Sequence, residues 1–247
     1  MAGFQLQWAD DDPATMRGIV VDTTIKKQKL TFFVANEFDV IQRMHLQGKF
    51  YEQDELDIIA RYFKGGVFVD VGSNVGNHAL YAAKILDARK VIAFEPNPVA
   101  LRILEFNIVA NGLRDRVVVH DVGLSDKSGW ASFSTPNDNN LGATRLSPHA
   151  GNDGFRLVRG DDLLAGEKVD FIKIDTEGLE MQVLEGLADT LRVSRPTMFI
   201  EVEDKNIPAF QAFCASARYE AATTYKRYPG NTNFLVVPIG GTPRIAV

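Results

Sequence analysis

Near-continuous apolar strands alternate with helical segments from about residue 67 to residue 217. That alternation predicts an α/β fold: a doubly wound, largely parallel sheet with helices on both faces. The chain then ends in two extended runs around a Pro-Gly turn, which predicts a C-terminal hairpin with an antiparallel last strand. Short strands and helices ahead of residue 66 predict an N-terminal cap. Two units follow: residues 1–65 as lead-in, strand hairpin and helical cap, and residues 66–247 as the main domain, with a substrate-loop insertion at about 125–160.

In order, residues 1–17 read as an acidic lead-in with Asp10, Asp11, Asp12 and Pro13 together. Residues 19–24 and 29–35 are strands around a lysine-rich turn. Residues 39–48 have helical spacing and stop at Gly48; residues 54–63 form a second helix with Asp54 as N-cap, closed by Gly65 and Gly66. The main domain opens with a buried strand at 67–71 and a helix at 77–86. A strand at 90–95 leads to a helix at 98–111, closed by Gly112. Strands at 116–124 and 169–175 follow, then a helix at 179–191, a strand at 197–203 and a helix at 206–217. The terminal hairpin is 219–228 and 232–238. Residues 129–135 and 155–160 are short strands. Between them, 136–154 is rich in Asn, Asp, Gly and Pro, and a loop that long in a compact domain is commonly functional.

Composition narrows the class. With 247 residues, 45% apolar and 24% charged, the chain can bury a sizeable core. A net charge of −5 disfavours a nucleic-acid binder, so no nucleic-acid partner is expected. Cys214 is the only cysteine, which excludes a disulfide framework. The stretch MAGFQLQWADDDP lacks the basic region and apolar block of a secretory signal, and no apolar run is long enough for a membrane span. A cytoplasmic protein is expected; the oligomeric state is not legible.

VFVDVGSNVGNH (67–78) raises the chemical question, because an apolar strand ends in an acid and two glycines. In an open sheet, ligands bind outside the carboxyl end of such a strand, at a helix N-terminus. Gly72 and Gly76 allow close backbone approach, Ser73 and Asn74 bring polar groups, and the whole turn from Asp70 to Gly76, Val75 included, is expected to contact the ligand. The helix start is expected to present free N–H groups to an anion. Glu95 ends the next strand, 23 residues after Gly72 and just before Pro96 and Asn97. An acid at about that spacing accepts from both hydroxyls of a ribose. Asp70 sits badly beside a pyrophosphate but well beside an ammonium group. A ribose joined to an amino acid is S-adenosylmethionine, the expected cofactor. Its adenine is expected near the third strand, at Asp121, Val122 and Gly123. A nicotinamide cofactor, and so an oxidoreductase, is the main alternative; methyl transfer to nucleic acid or protein is another.

VFVDVGSNVGNHAL, VIAFEPNP and FIKIDTEGLEMQVLEG together resemble the FkbM family of S-adenosylmethionine-dependent methyltransferases. GKFYEQDEL (48–56) and VGLSDKSGWASF (122–133) fit the same pattern, so the likeness covers roughly residues 48–203. The resemblance implies a Rossmann-like seven-stranded methyltransferase sheet. It also implies methyl transfer to a hydroxyl, often of a sugar, glycan or secondary metabolite.

Asp175 ends the fourth sheet strand, facing the same crevice. It is the candidate for aligning or deprotonating the acceptor, with Glu177 nearby to raise its pKa. Glu177 and Glu180 alternatively favour the N-terminus of the following helix. His149, in the long loop, is a second candidate base; His45 can reach the mouth, His78 reads as a structural or cofactor-edge contact, and His120 as a packed side chain. Tyr51 and Glu52 can fold back over the cofactor. Arg145, Arg156 and Arg159 are candidates to meet an anionic substrate. No histidine pair has metal-ligand spacing, and no metal is assigned, although Asp175, Glu177 and Glu201 are a weak hard-cation possibility.

Overall fold

The computed structural model describes residues 16–133 and 146–240. Most of the acidic lead-in, residues 136–145 of the expected substrate loop, and Arg145 lie outside the described residues.

The cap opens with strands β1 (Ile19–Ile25) and β2 (Gln28–Val34), paired antiparallel in a separate two-stranded sheet. Their turn is Lys26–Lys27, both left-handed with φ of 48° and 68°, the twist a two-residue hairpin needs. Helix α1 (Val40–Leu46) is capped by the Asp39 carboxylate, which accepts from the N–H groups of Ile41 and Gln42. Helix α2 (Gln53–Tyr62) begins one residue earlier than expected. Asp54 is therefore not its N-cap; that position belongs to Glu52, which is left-handed and makes no side-chain capping bond. Asp54 sits in the first turn, where a carboxylate suits the helix dipole.

The main domain follows with β3 (Val67–Val71) and α3 (Asn77–Leu80), which runs on as a wider π-helical turn at Tyr81–Ile85. Next come β4 (Lys90–Phe94), α4 (Pro98–Ala110) and β5 (Val117–His120). The expected strand 116–124 is two strands, because the chain leaves the main sheet after His120. Residues Gly123–Ser125 (β6) then pair in parallel with β9 (Phe155–Arg159). Strands β7 (Gly129–Phe133) and β8 (Leu146–His149) complete a second sheet of order β6-β9-β7-β8. Strand β8 falls where a loop was expected.

A short helix α5 (Gly160–Leu163) leads to β10 (Phe171–Ile174). The expected helix 179–191 is divided into α6 (Glu180–Gly186) and α7 (Ala188–Ser194). At the break, a Cβ on Gly186 would stand 1.9 Å from the Ser125 carbonyl, so α6 presses its end directly onto β6. The chain closes with β11 (Thr197–Glu203), α8 (Ile207–Ala217), β12 (Tyr219–Tyr225) and β13 (Asn231–Pro238).

The central sheet has seven strands in the order β12-β13-β11-β10-β3-β4-β5. Pairings among β11, β10, β3, β4 and β5 are parallel, whereas β13 runs antiparallel to both β11 and β12, as the hairpin predicts. Both faces are buried. Val67, Val69 and Val71 join one core with Val183, Leu184 and Phe210; Phe68 joins the other with Leu30, Phe32, Leu56 and Ile59. Alternate residues of β3 thus feed opposite cores, and the cap supplies much of the second. No helix among the described residues is long and apolar enough to cross a membrane.

Candidate active site

The chain winds outward from β3 through β4 to β5, then returns to β10 on the other side of β3. The carboxyl ends of β3 and β10 therefore flank the topological switch point, where open sheets bind ligands. A cleft of about 290 Å³ lies there. Its lining includes Gly72, Ser73 and Asn74 after β3, Glu95, Pro96 and Asn97 after β4, and Gly123 and Leu124 of β6. Asp175, Thr176 and Glu177 after β10, Glu201 of β11, and Tyr51, Glu52 and Tyr228 complete the opposite wall.

The turn after β3 is tight enough to dictate its sequence. Gly72 has a φ of 75°, and a Cβ there would fall 1.9 Å from the Asp175 carbonyl oxygen. Asn74 is also left-handed, with a φ of 49°. The Glu95 carboxylate is held at both oxygens: the N–H of Asn74 donates to one and the N–H of Asn97 to the other, each at 2.7 Å. Burial pushes its pKa up to about 7 despite those two bonds. Each oxygen keeps lone-pair capacity for a further donor.

Across the cleft the charges are crowded. Lys173, 4% exposed, lies 3.6 Å from Asp70 and 3.4 Å from Asp175, and donates to the Gly72 carbonyl at 3.0 Å. Burial opposes its ammonium form, but the charges of Asp175, Asp70 and Glu52 prevail and raise its pKa. Asp175, Glu177 and Glu201 bring carboxylate oxygens within 4.8 Å of one another, close enough to share a divalent cation. Burial, then the charges of Asp175 and Glu177, push Glu201 up to about 8; Asn231 donates to it at 2.5 Å. Burial, then Asp175 and Glu55, push Glu52 up to about 8. Glu52 and Glu177 are both left-handed, at φ of 56° and 49°, a backbone cost that gathers at functional sites.

The cap is pinned to this wall by Asn77. Its side chain accepts from the Tyr51 N–H at 2.9 Å, donates to the Tyr51 carbonyl at 3.0 Å, and meets His45 Nε2 at 3.1 Å. The Tyr51 and Tyr228 hydroxyls bond at 2.9 Å. Arg227 grips Glu55 with two bonds, and Tyr225 donates to Asp54. The β12–β13 turn and the start of α2 therefore close one end of the cleft together.

The expected site residues separate into two groups. The structure brings Glu52, Gly72, Ser73, Asn74, Glu95, Pro96, Asn97, Gly123, Asp175 and Glu177 to the cleft wall. Asp70 is fully buried beneath it as a partner of Lys173, and Val75 and Val122 are core residues outside the lining. Gly76 is the left-handed residue opening α3. Asp121 is exposed on the corner where β5 leaves the sheet and does not line the cleft, unlike its neighbour Gly123. His149 ends β8 opposite Trp130, exposed and away from the lining, which takes it out of position to act as a base. Its Nδ1 accepts instead from the Gly151 N–H.

The turn also differs from a bare anion cradle. The N–H groups of Gly72 and Ser73 bond to the Phe94 carbonyl, that of Val75 to the Asn74 side chain, and that of Gly76 to the Ser73 carbonyl. With Asn74 bonded to Glu95, every N–H from Gly72 to Gly76 has a protein acceptor. Arg156 is exposed and Arg159 pairs with Asp161 at 3.3 Å; neither lines the cleft. His45 is wholly buried against Phe32, and burial lowers its pKa to about 4. Glu180 is structural, accepting from the Glu203 N–H and the Asn206 side chain. Lys173 escaped notice, although a lysine inside the apolar run FIKI is itself a signal of a buried partner. Tyr228 and Asn231 carried no signal, because only the fold returns the terminal hairpin to the cleft.

A sequence model described as the methyltransferase FkbM domain matches residues 70–225. The hexuronic acid methyltransferase AglP of Haloferax volcanii is 35% identical over 130 residues, covering 51% of this chain and 52% of that protein. Methyltransferase sdnD of Sordaria araneosa is 27% identical over 154 residues, covering 48% of this chain and 59% of that protein. The chain thus spans only about half the length of these curated relatives. Among solved structures, methyltransferase FkbM of Methylobacillus flagellatus superposes with a TM-score of 0.55 at 17% identity, over 82% of this chain and 56% of that one. Streptococcus pneumoniae Sp1610, solved in complex with S-adenosyl-L-methionine, gives 0.53 at 15% identity over 76% and 73%. These two likenesses show the fold. The domain match starts at Asp70 and takes in the glycine turn, Glu95 and the Asp175 block, and it covers well over half of the sequence: the chain belongs to the FkbM family of methyltransferases.

Proposed function

We propose that this methyltransferase uses S-adenosylmethionine and is O-directed, acting on a hydroxyl of a sugar, glycan or secondary metabolite. One observation carries the reading. Glu95 stands at the end of β4, on the cleft wall, with both oxygens already fixed by backbone donors and still able to accept from a pair of ribose hydroxyls. The cleft fits that cofactor in two further respects: the glycine turn admits no Cβ at Gly72, and Gly123 and Leu124 leave an apolar wall for a base. Gly72, Asn74, Glu95, Asn97 and Gly123 would hold it. A relative named for a hexuronic acid supports a carbohydrate acceptor.

When bound, the cofactor supplies an electrophilic methyl group. The chain's own work is alignment and proton handling. Asp175, one-third exposed at the cleft and 3.4 Å from Lys173, can accept the hydroxyl proton as the acceptor oxygen becomes the nucleophile. Lys173 holds Asp175 in place and cannot itself act as a base while its ammonium is so strongly favoured. Tyr51, Tyr228 and the cap close the cleft end and limit water. Calorimetric titration with S-adenosylmethionine and with NAD, paired with labelled-methyl transfer to hydroxyl acceptors, tests the reading. Saturable S-adenosylmethionine binding and ether products are expected; NAD binding alone, or methylation of amines alone, overturns it.

A further inference from the structure

The charge on the acceptor can be read from the wall that faces it. Among the described residues, five carboxylates line the cleft (Glu52, Glu95, Asp175, Glu177 and Glu201) and Lys173 is the one lysine or arginine. Lys173 is already shared between Asp70 and Asp175. The guanidinium of Arg227, next in sequence to the lining residue Tyr228, is committed to Glu55 by two hydrogen bonds. The arginines expected from sequence to meet an anion, Arg156 and Arg159, are elsewhere. Even with a cofactor of net charge about +1 beside Lys173, the lining holds more acidic groups than cationic ones, and a ligand cation set against them would favour their ionised forms.

A second, independent observation concerns hydrogen bonding. His78 lines the cleft at only 6% exposure, and its Nε2 has no hydrogen-bond partner. That nitrogen lies 3.8 Å from a Glu52 oxygen, too far for a hydrogen bond between them. Burial and the nearby Lys173 keep the ring neutral. With the imidazole proton on Nδ1, Nε2 is an acceptor, and an ionised Glu52 beside it makes the pair a seat for an N–H or O–H donor. An ionised carboxylate presents only acceptors.

Resting on the methyltransferase reading above, we propose that the acceptor is a hydroxyl compound bearing a basic nitrogen near the reacting hydroxyl, of amino-sugar type, and not an ionised sugar acid. The ammonium lies against Glu52, Glu177 and Glu201, leaving Asp175 for the hydroxyl. This separates the chain from its relative AglP, named for a hexuronic acid.

The test uses the whole chain loaded with S-adenosylhomocysteine, at pH 7. Methyl glycosides of glucosamine, glucose and glucuronic acid share a ring and differ in charge. The amine is expected to bind on the order of tenfold or more tighter than the uronate, with the neutral sugar between them. In Glu177→Gln and Glu201→Gln the ratio of amine to uronate affinity falls by a similar factor, read against the neutral sugar. Preference for the uronate overturns the proposal, and so does equal affinity for all three, including no binding of any. A preference that needs added Mg²⁺ and disappears with a chelator also overturns it, by assigning the acids to a metal. Failure to bind S-adenosylhomocysteine is a separate result, which sinks the cofactor reading first.

Discussion

The two walls of the cleft carry acids in opposite conditions. At the β4 end, Glu95 has both oxygens bonded to backbone N–H groups at 2.7 Å. At the β10–β11 end, Asp175, Glu177 and Glu201 crowd within 4.8 Å, and Glu52 and Glu201 are pushed up to about 8 by burial and then by the charge of Asp175. The first wall is finished before any ligand arrives. The second gains from a ligand that brings positive charge. A pre-bonded acid gives fixed geometry for a molecule that is always the same, and a crowded set gives charge selection among molecules that differ.

The largest effect should come from breaking the finished wall. Gly72→Val places a side chain where even a Cβ would sit 1.9 Å from the Asp175 carbonyl, at a left-handed φ of 75°. Cofactor binding should be lost in calorimetry, and transfer with it. Gly112→Ala is the control: it is also left-handed, at 65°, but has nothing within 4 Å of the added atom, so its cost should be only about 1–2 kcal/mol. Equal damage from both would mean that the turn is not a close approach at all.

Next comes Asp175→Asn, which keeps the shape of the crowded wall and removes its candidate base. Turnover should fall by about 10²–10⁴-fold while S-adenosylmethionine affinity stays within about threefold. Unchanged turnover in a labelled-methyl assay would show that Asp175 only positions.

Lys173→Met probes the joint between the walls. It strips the partner from Asp70, whose side chain is fully buried with no hydrogen bond at either oxygen. Losing one member of a buried pair costs about 3–5 kcal/mol, and Asp70→Asn in the same chain should restore part of it. Thermal melting of both variants checks this; no recovery in the double variant would separate Asp70 from the lysine's role.

The two walls also differed in how far the sequence revealed them. Strand–helix alternation, the antiparallel end and the Gly72 and Glu95 signals are local patterns, and they placed the sheet and one wall of the cleft. Asp121 misled because its neighbourhood reads as one strand, whereas the chain turns out of the sheet at that corner to pair Gly123–Ser125 with β9. His149 misled because a histidine in a polar loop looks available, and only the pairing of β8 with β7 shows which way it lies. The crowded wall draws on Glu52, Asp175, Glu201 and Tyr228, which lie far apart in the chain and meet only through the sheet order and the returning hairpin. Strand-end positions did group Asp175, Glu177 and Glu201 and set Glu52 near the crevice, but no local pattern reports Tyr228 or how far these acids are buried.

The smallest effect, and the one most specific to the crowded wall, is a pH slope. An acid whose folded pKa exceeds its unfolded value near 4.3 binds more protons folded than unfolded, so stability falls as pH rises toward the folded pKa. Glu95, raised to about 7, and Glu52 and Glu201, raised to about 8, all act in this direction. His45, lowered to about 4, and His78, also lowered, act oppositely, but only below their ordinary value of 6.5. Below pH 6.5 the two sets offset each other; between 6.5 and 8 the carboxylates act alone. Ligand-free protein should therefore lose thermal stability from pH 6.5 to 8, at about 2–4 °C for each kcal/mol. Glu201→Gln should flatten that slope, and a saturating cationic ligand should do the same by favouring the ionised acids it faces. A melting temperature that holds level or climbs across this window in the ligand-free chain would mean that the acids of the second wall are ionised and already compensated, and the contrast between the walls would be gone.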